Sequence, residues 1–202
     1  MGAMALPYVR TYNEAILYIR LRPCGCGETE VRWQDVALTL DGAPARYFTG
    51  ACENCRRPRE FTLAMPEEAQ PRNDVVFGEG TTRSEVLDPG EWLSVSDLYG
   101  QRAEEVLADG EFDAEDVGVV HYTLSARVSA VDEVLKFLPD NADVVPEWFF
   151  RSVPGRAVFE AAPARFGRDA LLAERSALWE NLERFVKDYY GDGTAPTGSD
   201  AG

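Results

Sequence analysis

The first third of the chain alternates apolar and polar side chains, which is the period of β-strands with one buried face. Residues 36–40 show this alternation, and Asp41-Gly42 follows directly as the signature of a type I′ hairpin turn. Residues 45–49 can return as the partner strand, and residues 60–63 are a third strand-like run. We therefore predict a small antiparallel sheet in this region.

Helical periodicity flanks the sheet. Before it, Thr11 and Glu14 have the spacing of a capping box, which predicts a short helix over about residues 12–20. From Asp88 onwards, apolar side chains recur every three or four residues. This pattern predicts four further helices: from Pro89 to before Gly110, from the cap Asp113 to Pro139, over residues 155–161, and over residues 168–190.

The cysteines form two close pairs, one on each side of the predicted hairpin: Cys24, Cys26, Cys52 and Cys55. Two such pairs on tight turns suit a tetrahedral Zn²⁺ ion, which prefers thiolate ligands. Gly25 and Gly27 allow the backbone to fold tightly around an ion. Four protein ligands leave no open coordination position, so we expect a structural zinc ion. Two disulfides or four unrelated thiols are the alternatives.

With these cysteines, the segment from about residue 20 to residue 65 resembles the zinc-ribbon fold group. One departure is that the first pair is C-x-C, where most ribbon turns are C-x-x-C. The resemblance implies a β-hairpin whose two cysteine pairs are joined by one bound metal ion. The whole chain, through residues 59–61, 87–92 and 131–137, also resembles a group of uncharacterised proteins from high-GC bacteria, and this second resemblance implies no activity.

The formal net charge of −15 is unevenly distributed. Residues 1–63 hold 8 basic and 7 acidic side chains, whereas residues 64–202 hold 12 basic and 28 acidic ones. Such a chain is poorly suited to binding the phosphate backbone of a nucleic acid, because phosphate binding requires a positively charged surface. The densest group of acidic side chains, which we call the acidic run, consists of Glu104, Glu105, Asp109, Glu111, Asp113, Glu115 and Asp116.

The acidic run has two interpretations. Carboxylates at a helix start stabilise the helix dipole and stay solvated, which makes the run ordinary surface. Alternatively, the run is a landing site that attracts a basic protein. On the second interpretation we expect a non-catalytic, zinc-stabilised protein-binding module. One form of it is an immunity- or antitoxin-type inhibitor that covers the cleft of a basic effector such as a nuclease.

Basic side chains support an alternative function. Arg46, Arg56, Arg57 and Arg59 cluster around the second cysteine pair, close to aromatic residues. Arginine beside aromatic rings can contact phosphate and stack on bases, so the alternative is a nucleic-acid-binding zinc ribbon. The same arginines can equally form ion pairs within their own chain.

An enzyme is a further alternative, and it would depend on His121, the only histidine. This residue falls among apolar positions of the longest predicted helix, where a histidine is typically a core or edge residue. The sequence contains no nucleophile elbow, Walker loop or G-x-G-x-x-G loop, so we lean against an enzyme. The aromatic run Trp148-Phe149-Phe150 either lines a pocket or docks helices together.

Together these predictions describe an α+β protein. Residues 1–65 carry the short helix and the zinc ribbon, residues 66–87 a linker or docking segment, residues 88–190 a helical domain, and residues 191–202 a disordered tail. The start of the chain lacks the cationic and apolar segments of a secretory signal, so we expect a cytoplasmic protein.

Overall fold

The computed structural model describes residues 6–69, 75–108 and 113–191. The chain divides into two compact units. The first unit contains the chain up to residue 72 together with residues 76–80 and 84–86, and the second contains residues 73–75, 81–83 and everything from residue 87. The expected α+β class is confirmed. Across the described ranges, no helix combines the length and apolar character needed to cross a bilayer.

The first unit combines one helix with one antiparallel sheet. Helix α1 spans Tyr12–Arg20, and strands β1, β2 and β3 span Gln34–Leu40, Ala43–Ala51 and Pro58–Ala64 in the spatial order β1-β2-β3. The two residues between β1 and β2, Asp41 and Gly42, have φ values of 51° and 82°. Two consecutive positive φ values confirm the predicted type I′ turn.

The predicted start of α1 is confirmed with one difference. The Thr11 hydroxyl accepts a hydrogen bond from the backbone N–H of Glu14, as expected of an N-cap. The Glu14 carboxylate reaches one residue beyond the cap, where it accepts bonds from the backbone N–H of Arg10 (2.7 Å) and from its guanidinium (2.7 Å). The core of this unit consists of Val9, Ala15, Ile19, Phe48, Leu63 and Met65.

The second unit is helical. Its helices are α2 (Pro89–Ala108), α3 (Ala114–Leu135), α4 (Val153–Ala161) and α5 (Arg168–Tyr190), with short 3₁₀ turns at Glu147–Phe149 and Pro163–Phe166. Helix α3 packs against both α2 and α5, and α2 also packs against α4. All four helices occur where the sequence predicts them.

The end of α3 differs from the prediction, because the helix stops at Leu135 and does not continue to Pro139. The N–H groups of Phe137 and Leu138 donate to the C=O groups three residues earlier, at 3.0 and 3.1 Å, so the last turn is a 3₁₀ turn. A proline disfavours the helical conformation of the residue before it. The helix therefore tightens before it reaches Pro139.

Two residues of the aromatic run Trp148-Phe149-Phe150 have different environments. Phe150 is buried, and its ring lies 4.4 Å from that of Phe159 and 4.8 Å from that of Phe166. The side chain of Trp148 is 72% exposed. Phe150 therefore docks α4 and the turn that follows it, whereas Trp148 faces solvent.

Candidate metal centre

Both cysteine pairs lie at the same end of the sheet. The β2–β3 register continues one step beyond the strands, where the N–H of Cys52 donates to the C=O of Arg57 (3.0 Å), so the second pair occupies a hairpin turn. The β1–β2 register likewise continues to a bridge between Val31 and Cys52. Beside that bridge, the N–H of Glu53 donates to the C=O of Glu30 (3.0 Å). These bonds hold the chain that follows the first pair against the second pair.

Gly50 permits this close approach. A Cβ atom at this position would lie 2.5 Å from Cγ1 of Val31 and 2.7 Å from the carbonyl oxygen of Arg32. Any side chain would push the two segments apart and separate the cysteine pairs. Sequence reasoning missed this residue, because a glycine within a strand is only a weak signal of close backbone contact.

The two cysteine turns share a hydrogen-bond pattern although their spacings differ. In each turn, the N–H of the first cysteine donates to the C=O of the residue two positions after the second cysteine. The bond from Cys24 to Glu28 is 2.8 Å, and the bond from Cys52 to Arg57 is 3.0 Å. The C-x-C and C-x-x-C turns therefore form equivalent closed loops.

A second shared feature involves the residue that directly follows each pair. The N–H groups of Gly27 and Arg56 donate to the C=O of the first cysteine of their own turns, at 2.7 and 2.9 Å. Both residues have positive φ values, 91° for Gly27 and 60° for Arg56. This conformation reverses the chain and aims both cysteines of a turn to one side.

The four sulfur atoms form one cluster. All four Sγ atoms lie within 4.8 Å of one another; the separation is 3.5 Å between Cys24 and Cys55 and 3.6 Å between Cys26 and Cys52. The cysteines are free, so neither disulfides nor four unrelated thiols describe the arrangement. Cys24 and Cys52 are buried, Cys55 is partly buried and Cys26 is exposed. We call this cluster the metal centre, because it could hold a metal ion.

Hydrogen bonds to sulfur adjust the protonation of the metal centre. The backbone hydrogen bond from Cys26, together with hydrogen bonds from the other three thiols, lowers the pKa of the Cys24 thiol to about 6, against the effect of burial. The backbone bond from Arg57 also lowers the pKa of Cys55, but burial and bonds with the other three thiols outweigh it and raise that pKa to about 11. The Asn54 side-chain amide lies 4.0 Å from the sulfur of Cys26. Donors of this kind stabilise negative charge on sulfur.

The four arginines near the second pair do not form one free cationic surface. Arg46 forms an ion pair with Asp35 (2.6 Å), and the guanidinium of Arg59 donates to the C=O of Arg22 (2.6 Å). Only the remaining two, Arg56 and Arg57, are exposed, and Arg56 is paired with Glu53 at 3.1 Å.

An exposed arginine that was not among the sequence candidates, Arg32, also contacts the carboxylate of Glu53, at 3.3 Å. Its side chain is 94% exposed. The region around the metal centre therefore alternates basic and acidic groups.

In sequence, the acidic run extends from the last turns of α2 to the first turn of α3. Asp109 and Glu111 lie outside the described residues. Asp113 and Asp116 form a capping box, with Asp113 accepting the N–H of Asp116 at 2.9 Å. The remaining members, which are exposed, are Glu104, Glu105 and Glu115. Part of the run therefore caps a helix, and part is solvated negative surface.

His121 lies on α3, and its ring packs at 5.6 Å against that of Tyr190 near the end of α5. Burial lowers its pKa, so the neutral imidazole is favoured. Within the part of the chain that the structure describes, His121 forms no hydrogen bond to a carboxylate or hydroxyl. The structure thus brings the cysteines together but gives His121 no catalytic neighbours among these residues.

Comparisons with known proteins add nothing to this geometry. No protein-family model matches the sequence, and neither a curated protein nor a solved structure is significantly similar to it. The resemblance to the zinc-ribbon group therefore rests on the cysteine spacing and the hairpin between the pairs.

Proposed function

We propose that the metal centre binds one structural Zn²⁺ ion through all four cysteines. The observation that carries this proposal is the mutual distance of the sulfur atoms, at most 4.8 Å. In a tetrahedral site with Zn–S bonds of about 2.3 Å, sulfur atoms lie about 3.8 Å apart. The separations of 3.5 Å (Cys24–Cys55) and 3.6 Å (Cys26–Cys52) fall just below that value. Small side-chain adjustments would therefore complete the site.

Four thiolates fill the coordination shell of Zn²⁺, so the ion would have no open position for water or substrate. Its contribution would be to the free energy of folding. The first unit has one three-stranded sheet and one helix, and the described part of its core is small. A metal that joins the two cysteine turns compensates for a small core in such units.

Metal analysis of freshly purified, reduced protein tests this proposal. We expect one zinc ion per chain. Cys26→Ser is the decisive variant, because Cys26 is exposed and its replacement removes a ligand without removing packing. It should bind zinc much more weakly, whereas Cys52→Ser at a buried position should lose both zinc and the fold of the first unit. Protein that contains iron or no metal, or a Cys26→Ser variant with unchanged zinc affinity, would contradict the proposal.

We further propose that the protein is a non-catalytic binding module whose acidic run contacts a basic protein. This proposal rests on the exposure of Glu104, Glu105 and Glu115 and on the excess of 28 acidic over 12 basic side chains beyond residue 63. A concentrated negative surface raises the association rate of a cationic partner and orients it. An inhibitor that covers the nucleic-acid cleft of a basic effector is the form that fits this charge.

Affinity capture with the purified protein tests the second proposal. The test variant neutralises the exposed members of the acidic run: Glu104→Gln, Glu105→Gln and Glu115→Gln. A matched control removes the same charge from exposed positions elsewhere in the second unit: Glu160→Gln, Glu180→Gln and Asp188→Asn. We expect a basic protein to bind the wild type and the control but not the test variant. Equal binding by both variants would show that the acidic run is ordinary solvated surface.

A further inference from the structure

Strand β1 is one of the two edges of the sheet. On the opposite edge, the last residue of β3 pairs with the segment before α1: Val9 N–H donates to the C=O of Ala64 and Ala64 N–H donates to the C=O of Pro7, both at 2.9 Å. In the described ranges, no backbone group outside the sheet pairs with β1. All seven residues of β1 except Leu38 are exposed. Strand β1 therefore presents unpaired backbone to solvent along its length.

The turn between β1 and β2 determines which backbone groups face outwards. A two-residue type I′ turn places Leu40 and Ala43 in a hydrogen-bonded pair, and the bonding alternates from there. The next pair joins Thr39 to Pro44, which has no N–H to donate, in agreement with this alternation. The residues whose N–H and C=O groups point away from β2 are Asp35, Ala37 and Thr39.

Three common protections of an edge strand are missing from β1. The strand contains no lysine and no proline, and its register with β2 has no bulge. Its single charge, on Asp35, is neutralised by Arg46 at 2.6 Å. Val36 is 56% exposed and Leu40 is 42% exposed on the same face. Such a strand is well suited to pairing with another strand.

We propose that β1 pairs antiparallel with β1 of a second copy of this chain, around a two-fold axis at Ala37. In this register, Ala37 faces Ala37 of the second copy, and Asp35 faces Thr39 of the second copy. All three outward residues of each strand then form hydrogen-bonded pairs. A register centred on residue 36 would place Thr39 opposite residue 33, and one centred on residue 38 would place Asp35 opposite residue 41. In either case one outward residue faces a residue outside β1. The product is a continuous six-stranded sheet.

The charges beside β1 fit this register. Arg32, 94% exposed, precedes the strand, and Asp41, also exposed, follows it. Antiparallel pairing about Ala37 places Arg32 of each copy opposite Gly42 of the other, one position from Asp41, so opposite charges lie near each other twice by symmetry. Residues 1–63 are almost neutral, with 8 basic and 7 acidic side chains, so self-repulsion is weak in this part of the chain.

The apolar side chains also fit. In the proposed register, Val36 lies opposite Leu38 of the second copy, on the face that carries the exposed Leu40. The pairing would cover part of the exposed Val36 surface in each copy. Cross-strand pairs of branched apolar side chains are favourable in antiparallel sheets. The interface is small, so we expect a dimer that dissociates on dilution.

Sedimentation velocity of the full, metal-loaded chain over a range of concentrations tests the proposal. We expect a reversible monomer–dimer equilibrium. Ala37→Pro removes an N–H that has no backbone partner among the described residues, so it should abolish the dimer and leave the circular dichroism spectrum unchanged. Ala37→Thr keeps that N–H and is the matched control, which should still dimerise. A wild type that remains monomeric at every concentration, or a dimer that survives Ala37→Pro, would overturn the proposal.

A charge exchange tests the register. Arg32→Glu and Asp41→Lys should each weaken the homodimer by roughly tenfold, because each places like charges together twice. When the two variants are mixed, both contacts are again between opposite charges, so the mixed dimer should form more readily than either variant homodimer. Failure of the mixture to restore association would reject the register centred on Ala37.

Discussion

Gly27 and Arg56 hold equivalent positions in the two cysteine turns, and their φ values are 91° and 60°. Among the described residues, a Cβ atom at Gly27 would meet nothing within 4 Å, so only backbone conformation opposes a side chain there. Arg56 does carry a side chain in this conformation, which costs an L-residue about 1–2 kcal/mol. The second turn therefore contains a strain that the glycine of the first turn avoids.

The first prediction follows from this pair of residues. Arg56→Gly should raise the unfolding free energy of the metal-loaded protein by about 1 kcal/mol, and Gly27→Ala should lower it by a similar amount. Urea denaturation in excess metal measures both changes. Arg57→Gly is the control, because Arg57 is also exposed but does not have a positive φ. If Arg57→Gly stabilises the protein as much as Arg56→Gly does, the strain at Arg56 is not the cause.

A buried carboxylate in the second unit joins the starts of two helices. Asp88 is 2% exposed. Its Oδ1 accepts the N–H groups of Gly90 and Glu91 at the start of α2, each at 3.0 Å. Its Oδ2 accepts the N–H groups of Arg151 and Ser152, just before α4, at 3.0 and 2.7 Å. Both oxygens are therefore required as acceptors.

The second prediction concerns this carboxylate. Asp88→Asn replaces one acceptor oxygen with an NH₂ group that faces two N–H donors, so it should lower the unfolding free energy by about 2–4 kcal/mol. The control is Asp113→Asn at the exposed cap of α3, where asparagine caps as well as aspartate and the change should be small. Denaturation followed by the far-ultraviolet signal of the helices measures both. Equally small effects at the two positions would contradict the role of Asp88.

Local signals explain why the sequence predicts the elements well. The caps at Thr11 and Asp113, the Asp41-Gly42 turn and the apolar periods act within a few residues, so they can be recognised without tertiary information. The cysteine cluster belongs to the same class, because a hairpin brings its flanking pairs together by local geometry. The end of α3 was predicted less well, because the sequence before Pro139 does not distinguish a 3₁₀ turn from a continued α-helix.

Long-range contacts explain what the sequence does not predict. Asp88 directly precedes α2, and nothing in the sequence indicates that its carboxylate also binds the N–H groups of Arg151 and Ser152. Arg46 belonged to a candidate nucleic-acid surface, and the sheet register places it beside Asp35. The close approach at Gly50 likewise depends on which segments the register brings together. Each of these contacts is a property of the assembled unit.

The third prediction uses His121. Burial lowers its pKa in the folded protein, so the unfolded chain takes up a proton first as the pH falls below about 6.5. The contribution of His121 to stability is therefore fully present above this pH and is lost at lower pH. Between about pH 7 and pH 5, the wild type should lose more unfolding free energy than His121→Gln, which carries no titrating ring. Identical pH slopes for the two proteins would show that His121 is not buried as described.

The last prediction links Gly50 to the metal centre. Gly50→Ala places a Cβ atom 2.5 Å from Val31 and 2.7 Å from the carbonyl oxygen of Arg32, so the segment after the first cysteine pair must move away from β2. Because this segment positions two of the four sulfur atoms, zinc affinity should fall by roughly tenfold or more in a chelator competition assay. Gly118→Ala is the control. Gly118 lies within α3, and no atom of the described residues comes within 4 Å of a Cβ atom there, so alanine should raise helix stability by about 1 kcal/mol and leave zinc affinity unchanged. An unchanged zinc affinity in Gly50→Ala would mean that the two cysteine turns do not depend on this backbone contact for their relative position.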